Sequence, residues 1–174
     1  MTIIDPKYGL GLEQGVNRLV EHNSLWSEAF DAEAARIGNA IGSLAIAIEH
    51  YGSTSVPNLR AKPIIDLLIG VSDIGDGTRM IEPMARLGYD YAGSQGIPHH
   101  HIFGLGVART HLAHVVVHMG DQWLGSLRFR DRLKASSGLR DQYQELKARL
   151  AAETTNRAEY NDGKTAFISR YSDL

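Results

Sequence analysis

An acidic residue inside a short apolar run constrains this chain more than any other feature. Asp66 stands within residues 64–71, a run of mostly branched aliphatic side chains bounded by turn residues. A run that is apolar on both faces is typical of a central strand in a sheet. Burying an unpaired carboxylate is costly or shifts its pKa. We therefore expect Asp66 to be paired, to bind a metal, or to lie at an open edge of the core.

The segment before this strand has the composition of a phosphate-binding turn. A β-prone run over residues 44–51 is followed by Gly52 and then by three hydroxyl residues, Ser53, Thr54 and Ser55. Glycine permits a turn that a Cβ would hinder, and hydroxyl groups can hydrogen-bond phosphate oxygens. The same hydroxyls can instead satisfy backbone groups of the turn. The acid downstream favours phosphate binding at these four residues.

Length, charge and composition limit the class of protein. The 174 residues are enough for one domain with a real core, so we predict a single domain over residues 1–174. The absence of cysteine excludes disulfides and thiolate metal sites. A formal net charge of -2 gives no general cationic field, which disfavours nucleic acid as a partner. No uncharged run approaches the ~18 residues needed to cross a bilayer. We expect a soluble cytoplasmic protein without membrane contact.

Periodicity predicts an α+β fold. Apolar side chains recur at helical spacing over residues 25–41, and a second helix is predicted over residues 80–87. Residues 102–107 and 111–119 are expected to pair as a hairpin, and three further helical patterns fill the C-terminal third. Residues 1–15 are rich in glycine and are expected to form a loosely held arm. This order predicts a mixed sheet flanked by helices.

Several separated motifs occur together along the chain. They are residues 48–57, residues 61–66, His111 with residues 114–116, residues 127–131, and the group Tyr160, Lys164, Phe167 and Ile168. In this order, from about Leu19 to Ile168, they resemble the GrpB family. That family is grouped with the nucleotidyltransferase superfamily, so the resemblance implies a nucleotidyltransferase-like mixed sheet with a helical C-terminal third. The domain also occurs joined to a coenzyme A biosynthetic kinase, which implies a ligand related to coenzyme A.

The superfamily pattern is a Gly-Ser turn after one strand and two acids, two residues apart, on the next. Gly52, Ser53 and Asp66 match this pattern in type and spacing. Two such carboxylates point to one face of a strand and together hold a pair of divalent ions. This chain has Leu68 at the second position, and leucine cannot ligate a hard cation. The resemblance implies Mg²⁺ or Mn²⁺ at Asp66, while Leu68 leaves open whether the protein is an enzyme.

Another element would have to supply the missing carboxylate. Glu49 lies on the preceding strand and Asp90 near the following one. Strand alternation puts Glu49 on the face opposite to His50, and only the packing of the sheet decides which face borders a pocket. Glu49 is the second metal ligand that we predict beside Asp66.

The histidines give one further candidate ligand or proton carrier. His114 and His118 would share a metal on a helix, but the valines between them predict a strand, where they stand about 13 Å apart. His114 is the better candidate, since the resemblance includes it and a central strand can bring it near Asp66 and His50. The triplet over residues 99–101 can bind a transition metal, can simply be solvated, or can line the mouth of a pocket.

Basic residues offer partners for a phosphate. A run with charges at Arg128, Arg130, Arg132 and Lys134 is mostly a solvated helix face, but two of its members lie in the resembling segment. An arginine fork suits phosphate. Lys62 can neutralise a phosphate or pair with the acid, and Lys164 can snorkel or reach a buried anion. The predicted ligand-binding cations are Lys62, Arg128, Arg130 and Lys164.

Two functions of different classes follow from these residues. The first is a transferase for a nucleotide or another phosphorylated small molecule, with Asp66 on a divalent cation and His50 or His114 moving a proton. The second is a binding module for a nucleotide or phosphorylated metabolite. The missing carboxylate favours the binder, whereas the histidines and cations favour a working pocket. A structural interaction protein ranks third, because it would not need an acid inside an aliphatic strand.

Overall fold

The computed structural model describes residues 5–173, apart from the side chain of Arg157. In this range the strands are β1 (Ala47–Tyr51), β2 (Ile65–Val71), β3 (Tyr89–Tyr91), β4 (His101–Leu105) and β5 (His111–Val117). The helices are α1 (Trp26–Ile41), α2 (Asp76–Arg79), α3 (Ile81–Arg86), α4 (Asp121–Ala135), α5 (Ser137–Glu153) and α6 (Arg157–Ser172). A single turn of 3-10 helix, Ser53–Ser55, follows β1.

The aliphatic run around Asp66 forms an interior strand, as predicted. β2 pairs antiparallel with β1 and parallel with β5, and the sheet continues in antiparallel pairs to β4 and β3. The strand order is β1-β2-β5-β4-β3. The parallel pair needs a long crossover, which contains α2, α3, β3 and β4. The prediction of a mixed sheet is therefore confirmed.

One face of the sheet is closed by α1. Trp26 and Ile37 of this helix are almost fully buried, in one cluster with Leu67 and Ile69 of β2. The helix ends at Gly42, whose φ of 55° is favoured by glycine. This layer is the main apolar core.

The C-terminal helices cover the other face. Leu68 of β2 and Val116 of β5 form a small cluster with Trp123 of α4. Phe129 and Tyr143 belong to a separate cluster that joins α4, α5 and α6. The three predicted C-terminal helices are confirmed. The helical layer thus packs through two separate apolar clusters, and space remains between this layer and the sheet.

The local predictions hold with shifted boundaries. The helix expected over residues 80–87 is α3, and a further short helix, α2, precedes it and adjoins it at Met80. Pro83 lies in the first turn of α3, where the backbone N–H that it lacks is not needed. The predicted hairpin is formed by β4 and β5.

The N-terminal segment is attached to the body within its described part. The loosely held arm was expected over residues 1–15, of which residues 1–4 lie outside the described residues. Leu12 is only 3% exposed and pairs with Arg109, and Val20 pairs with Ala61. Over the described range, no helix is both long enough and apolar enough to cross a membrane.

Candidate functional site

A cavity of about 290 Å³ lies between the sheet and the C-terminal helices. We call it the first cavity. It is lined by the turn after β1, by β2 and β5 on the sheet side, and by α4, α5 and α6 on the other side. The predicted site residues on its wall are Gly52, Ser53, Thr54, Lys62, Asp66, His114, Arg130 and Lys164.

The Gly52 turn holds the carboxylate of Asp66 at the cavity wall. Gly52 has a φ of 71°, and a Cβ at this position would collide with the Asp66 side chain, whose Cβ and Cγ would lie 3.0 Å away. The turn therefore requires glycine for both its backbone angle and its space. The Asp66 side chain is 27% exposed, and no described residue donates a hydrogen bond to it. Its oxygens remain accessible to a ligand.

His114 is a titratable neighbour of Asp66 on the cavity wall. Its Nε2 lies 3.8 Å from Asp66 Oδ1. Its Nδ1 is hydrogen-bonded to Nε2 of His100 at 2.9 Å, and its ring meets the Tyr51 ring edge-on at 5.4 Å. Burial, with His114 and His101 nearby, lowers the pKa of His100 to about 3. Two hydrogen-bonded imidazoles thus lead away from the carboxylate.

His50 does not line the cavity, contrary to the expectation that it shares a pocket with Asp66. The pairing of Tyr51 with Asp66 puts both on the cavity face, and alternation turns His50 to the other face. There its ring stacks on Phe30 at 4.7 Å and its Nε2 is hydrogen-bonded to Thr54 Oγ1 at 3.0 Å. Burial lowers its pKa to about 4. We therefore assign His50 a structural position.

The three hydroxyls of the turn have different partners. Ser55 Oγ donates to the carbonyl of Gly52 at 2.6 Å and does not line the cavity, so it closes the turn. Thr54 lines the cavity but is hydrogen-bonded to His50. The Ser53 hydroxyl faces the cavity and accepts a hydrogen bond from Lys147 at 3.1 Å. Of the three, Ser53 is therefore best placed for a phosphate.

The two predicted arginines, Arg128 and Arg130, lie in different places. Arg130 lines the first cavity and is 2.8 Å from Glu49 Oε2 and 2.7 Å from Asp131 Oδ1. Arg128 faces away from this cavity, and its guanidinium donates to the carbonyl of Ser172 at 2.9 Å. Consequently Arg128 cannot reach a ligand beside Asp66.

Lys147 of α5 was missed by the sequence reasoning. Its residue is 2% exposed, and its ammonium donates to Ser53 Oγ and to the Arg60 carbonyl. Burial, with Lys164 and Arg60 nearby, lowers its pKa to about 7. A signal was available, because Lys147 stands four residues after Tyr143 on the apolar stripe of the helix, where a charged residue is unexpected.

Tyrosines complete the wall. Tyr160 is almost fully buried, and its ring lies 3.6 Å from Lys62 Nζ and 4.5 Å from Lys164 Nζ. These are cation–π distances. Tyr143 and Tyr51 line the same cavity, and burial raises the pKa of each. Three neutral phenols thus border a site with several cations.

The residues at the superfamily's metal position do not fit a two-ion centre. Leu68 is buried in an apolar cluster, and the carboxylate of Glu49 is engaged by Arg130. Asp90 of β3 is paired with Arg109, which lies between β4 and β5. Across the part of the chain that the structure describes, no three His, Cys, Asp or Glu side chains are grouped to hold a metal ion. The prediction of Glu49 as a second ligand beside Asp66 is therefore not supported by the donor set.

Two further histidines, His101 and His118, have local partners. His101 is hydrogen-bonded to Tyr91 and to the carbonyl of Ile74, so it is held by the sheet edge. His118 packs against the Trp123 ring at 4.8 Å.

Comparison with known proteins gives the family. A family model described as GrpB protein matches residues 17–173. The chain belongs to the GrpB family. The glutamate-rich protein GrpB of Alkalihalophilus pseudofirmus is 32% identical over 166 residues, which cover 91% of this chain and 95% of that protein. The crystal structure of the conserved protein GrpB from Enterococcus faecalis has a TM-score of 0.80 at 33% identity, covering 89% of this chain and 94% of that one.

A more distant likeness concerns the fold alone. The Cid1 poly(U) polymerase has a TM-score of 0.51 at 10% identity, with 75% of this chain and 42% of that chain covered. The nucleotidyltransferase-like fold implied by the family resemblance is therefore confirmed.

Proposed function

We propose that this chain binds a phosphorylated small molecule in the first cavity and transfers its phosphate-containing group to a second small molecule. The observation that carries this proposal is the convergence of Lys62, Lys147, Lys164 and Arg130 on the wall that also holds Ser53. We call these four cations the basic cluster. Such a set of donors suits the oxygens of a phosphate or polyphosphate.

Lys147 is the strongest member of the basic cluster. Among the described residues its ammonium donates to a hydroxyl and a carbonyl and forms no ion pair with a carboxylate, although Lys147 is almost fully buried. A buried charge without a counter-ion is destabilising. A bound phosphate would supply that counter-ion beside the Ser53 hydroxyl. Because an anionic ligand would relieve the destabilisation caused by the buried ammonium, we expect Lys147 to contact such a ligand.

The aromatic wall favours a nucleotide over inorganic phosphate. Tyr51, Tyr143 and Tyr160 line the same cavity as the basic cluster. Aromatic rings offer a stacking surface for a nucleobase, and cations next to them meet the phosphates. The ligand class that fits both features is a nucleotide, or a phosphorylated metabolite such as a coenzyme A precursor.

Asp66 and His114 are the residues that we propose for the transfer step. They lie side by side on the cavity wall, with 3.8 Å between Asp66 Oδ1 and His114 Nε2. A carboxylate and an imidazole in this arrangement can accept the proton of an attacking hydroxyl. The basic cluster would stabilise the charge that develops on the phosphate oxygens. A poly(U) polymerase of similar fold gives a precedent for group transfer on this scaffold.

A non-catalytic binding module is the second candidate. The family resemblance puts Leu68 at the position of the second carboxylate, and this specific difference favours binding without turnover. The two candidates share the same ligand class and the same basic cluster. They differ only in whether a group leaves the ligand.

Thermal stabilisation by ligands tests the shared part of the proposal. We expect nucleoside triphosphates or phosphorylated coenzyme A precursors to raise the Tm of the wild type, in arms with and without Mg²⁺ or Mn²⁺. The substitution Lys147→Met should remove this stabilisation, measured against the Tm of the same variant without ligand. Lys7→Met is the matched control, because Lys7 pairs with Glu28 outside the cavity.

Mass spectrometry of the same mixtures separates the two candidates. A mass increase on an added hydroxyl compound supports transfer, and binding without any product supports the binding module. Unchanged Tm values with every ligand would contradict both candidates. Loss of stabilisation in Lys7→Met as well as in Lys147→Met would show nonspecific charge binding instead of a site.

A further inference from the structure

Asn17, in the segment before α1, connects the two layers that enclose the first cavity. Its side-chain oxygen accepts a hydrogen bond from Lys62 Nζ at 2.6 Å, and its side-chain nitrogen donates to the carbonyl oxygen of Thr154 at 2.8 Å. Lys62 lies just before β2 on the sheet side, whereas Thr154 caps the end of α5 in the helical layer. Asn17 is only 8% exposed and does not line the cavity. Any effect of Asn17 on the cavity therefore passes through its two partners.

Backbone hydrogen bonds fix the N-terminal segment beside Lys62. The N–H and C=O groups of Val20 bond to those of Ala61 at 2.8 and 3.0 Å, and the N–H of Gly11 donates to the carbonyl oxygen of Pro63 at 2.9 Å. Ala61 and Pro63 are the two neighbours of Lys62 along the chain. The segment is thus attached on both sides of this lysine, and the asparagine reaches Lys62 from a backbone that is already held in place.

The two side-chain hydrogen bonds explain why asparagine suits this position. An ammonium group can only donate and a carbonyl oxygen can only accept, so the residue between them must offer one acceptor and one donor. Asparagine offers both, and its bond to Thr154 keeps the side-chain oxygen directed at Lys62. A carboxylate would instead neutralise the ammonium and would have no proton for the carbonyl. Asn17 thus orients Lys62 without neutralising its charge.

The oriented ammonium lies on the cavity wall against an aromatic ring. Lys62 Nζ is 3.6 Å from the centre of the Tyr160 ring, and Lys164 Nζ is 4.5 Å from the same centre. All three residues line the first cavity. Tyr160 and Lys164 belong to α6, so a lysine of the sheet side and a lysine of the helical layer meet at one ring. The place of Lys62 therefore decides whether the two lysines face the same part of a ligand.

We infer that Asn17 is a positioning residue for phosphate binding, and that it holds Lys62 against Tyr160 so that Lys62 and Lys164 bind one polyphosphate chain together. This inference rests on the proposed function, since both lysines belong to the basic cluster. A lysine that is ordered before the ligand arrives loses less conformational entropy on binding. Replacing Asn17 should therefore weaken phosphate binding although it removes no charge from the cavity.

Side-chain NMR of the protein labelled with ¹³C at the lysine ε-carbons tests the positioning without any ligand. The ring current of Tyr160 should shift the ε-methylene protons of Lys62 upfield, and Lys62→Met assigns these signals. Asn17→Ala should remove most of this shift. Asn23→Ala is the matched control and should keep it, because the Asn23 amide also donates to backbone carbonyls of the N-terminal segment but does not line the cavity.

Isothermal titration calorimetry with tripolyphosphate measures the consequence for binding. Asn17→Ala should raise the Kd about ten-fold, which is the size expected when a hydrogen bond to a charged group is lost. In a Lys62→Met background the same substitution should change the Kd by less than about two-fold, because the group that Asn17 orients is then absent. This double-mutant cycle separates positioning from a general loss of stability. Asn23→Ala should leave the Kd unchanged.

Asn17→Asp separates the position of Lys62 from its charge. The new carboxylate still accepts a hydrogen bond from Lys62, so the upfield shift of the Lys62 signals should persist. The same carboxylate neutralises the ammonium, so the Kd for tripolyphosphate should rise at least as much as in Asn17→Ala. A Kd equal to that of the wild type would overturn the inference, because the charge of Lys62 would then not contribute. This variant also keeps the test decisive if Asn17→Ala fails to fold.

The outcomes separate this inference from the proposed function. Lys62 signals without an upfield shift in the wild type, or with a shift that persists in Asn17→Ala, would overturn the inference whether or not tripolyphosphate binds. Equal Kd values for the wild type and Asn17→Ala, or equal losses with and without Lys62, would overturn it and leave the proposed function intact. No binding of tripolyphosphate to the wild type would contradict the proposed function, and the Lys62 signals would still decide whether Asn17 positions this lysine.

Discussion

The two faces of the sheet are formed by the same strands, but one face is packed as an apolar core and the other borders a cavity. The face under α1 is filled by aliphatic and aromatic side chains and keeps its histidine neutral, with His50 stacked on Phe30. The face under α4, α5 and α6 carries Asp66, His114 and the basic cluster around open space. His50 and His114 were both expected near Asp66, and only His114 lies there. The register of a strand therefore decides which side chains reach a site, as much as the residue types do.

The largest change in stability should come from Leu67, which neighbours Asp66 on β2 but faces α1. Leu67 is fully buried under α1, so Leu67→Ala should lower the free energy of unfolding by about 3 to 5 kcal/mol through lost burial and a cavity. Urea unfolding measures this change. A loss below about 1 kcal/mol would mean that the α1 face is not the tightly packed side.

The next effect concerns pH and Lys147. A folded-state pKa of about 7 lies below the unfolded value, so the unfolded state binds more protons above pH 7 and stability rises with pH there. Between pH 7 and 9.5 this group should contribute a gain of about 3 kcal/mol in the wild type. In Lys147→Met this gain should be missing from the slope of unfolding free energy against pH. Equal slopes in the two proteins would show that the Lys147 ammonium is not desolvated.

A smaller effect is expected at the turn that holds Asp66. Gly52→Ala places a Cβ against the Asp66 side chain in a backbone conformation with φ of 71°, so we expect a loss of about 2 to 3 kcal/mol. Gly96→Ala is the control, because its φ is also positive but a Cβ there meets no atom within 4 Å. Similar losses in both variants, seen by urea unfolding, would mean that only the backbone angle matters.

The smallest stability effect should come from Asp66 itself. Its carboxylate is partly exposed and no described residue donates a hydrogen bond to it, so Asp66→Asn should change the free energy of unfolding by less than about 1 kcal/mol. Ligand-dependent stabilisation or product formation should change much more. A large loss of unfolding free energy with unchanged ligand binding would show that Asp66 is a structural residue. The contrast between the two faces would then not hold.

Much of the fold could be predicted from the sequence. The interior position of β2, the hairpin of β4 and β5 and the three C-terminal helices follow from apolar periodicity, which is a local property. The turn with Gly52 and Ser53, and Asp66 after it, follows from residue types at fixed spacing. The face that borders the cavity could not be predicted, because alternation gives two equivalent faces until helices pack on one of them. For this reason His50 was placed in the site. Lys147 of α5 was omitted although its position on the apolar stripe of the helix was a signal.

The sequence by itself determined the order of elements, the family pattern with Leu68 in place of an acid, and the placement of Asp66 in an interior strand. The tertiary structure decided which distant side chains meet. It brought Lys147 of α5 to Ser53 and linked His100 to His114, turned Arg128 away, and engaged Glu49 with Arg130. The physical reason is that secondary structure depends on neighbours along the chain. A cavity, in contrast, depends on how helices far apart in sequence pack over a sheet.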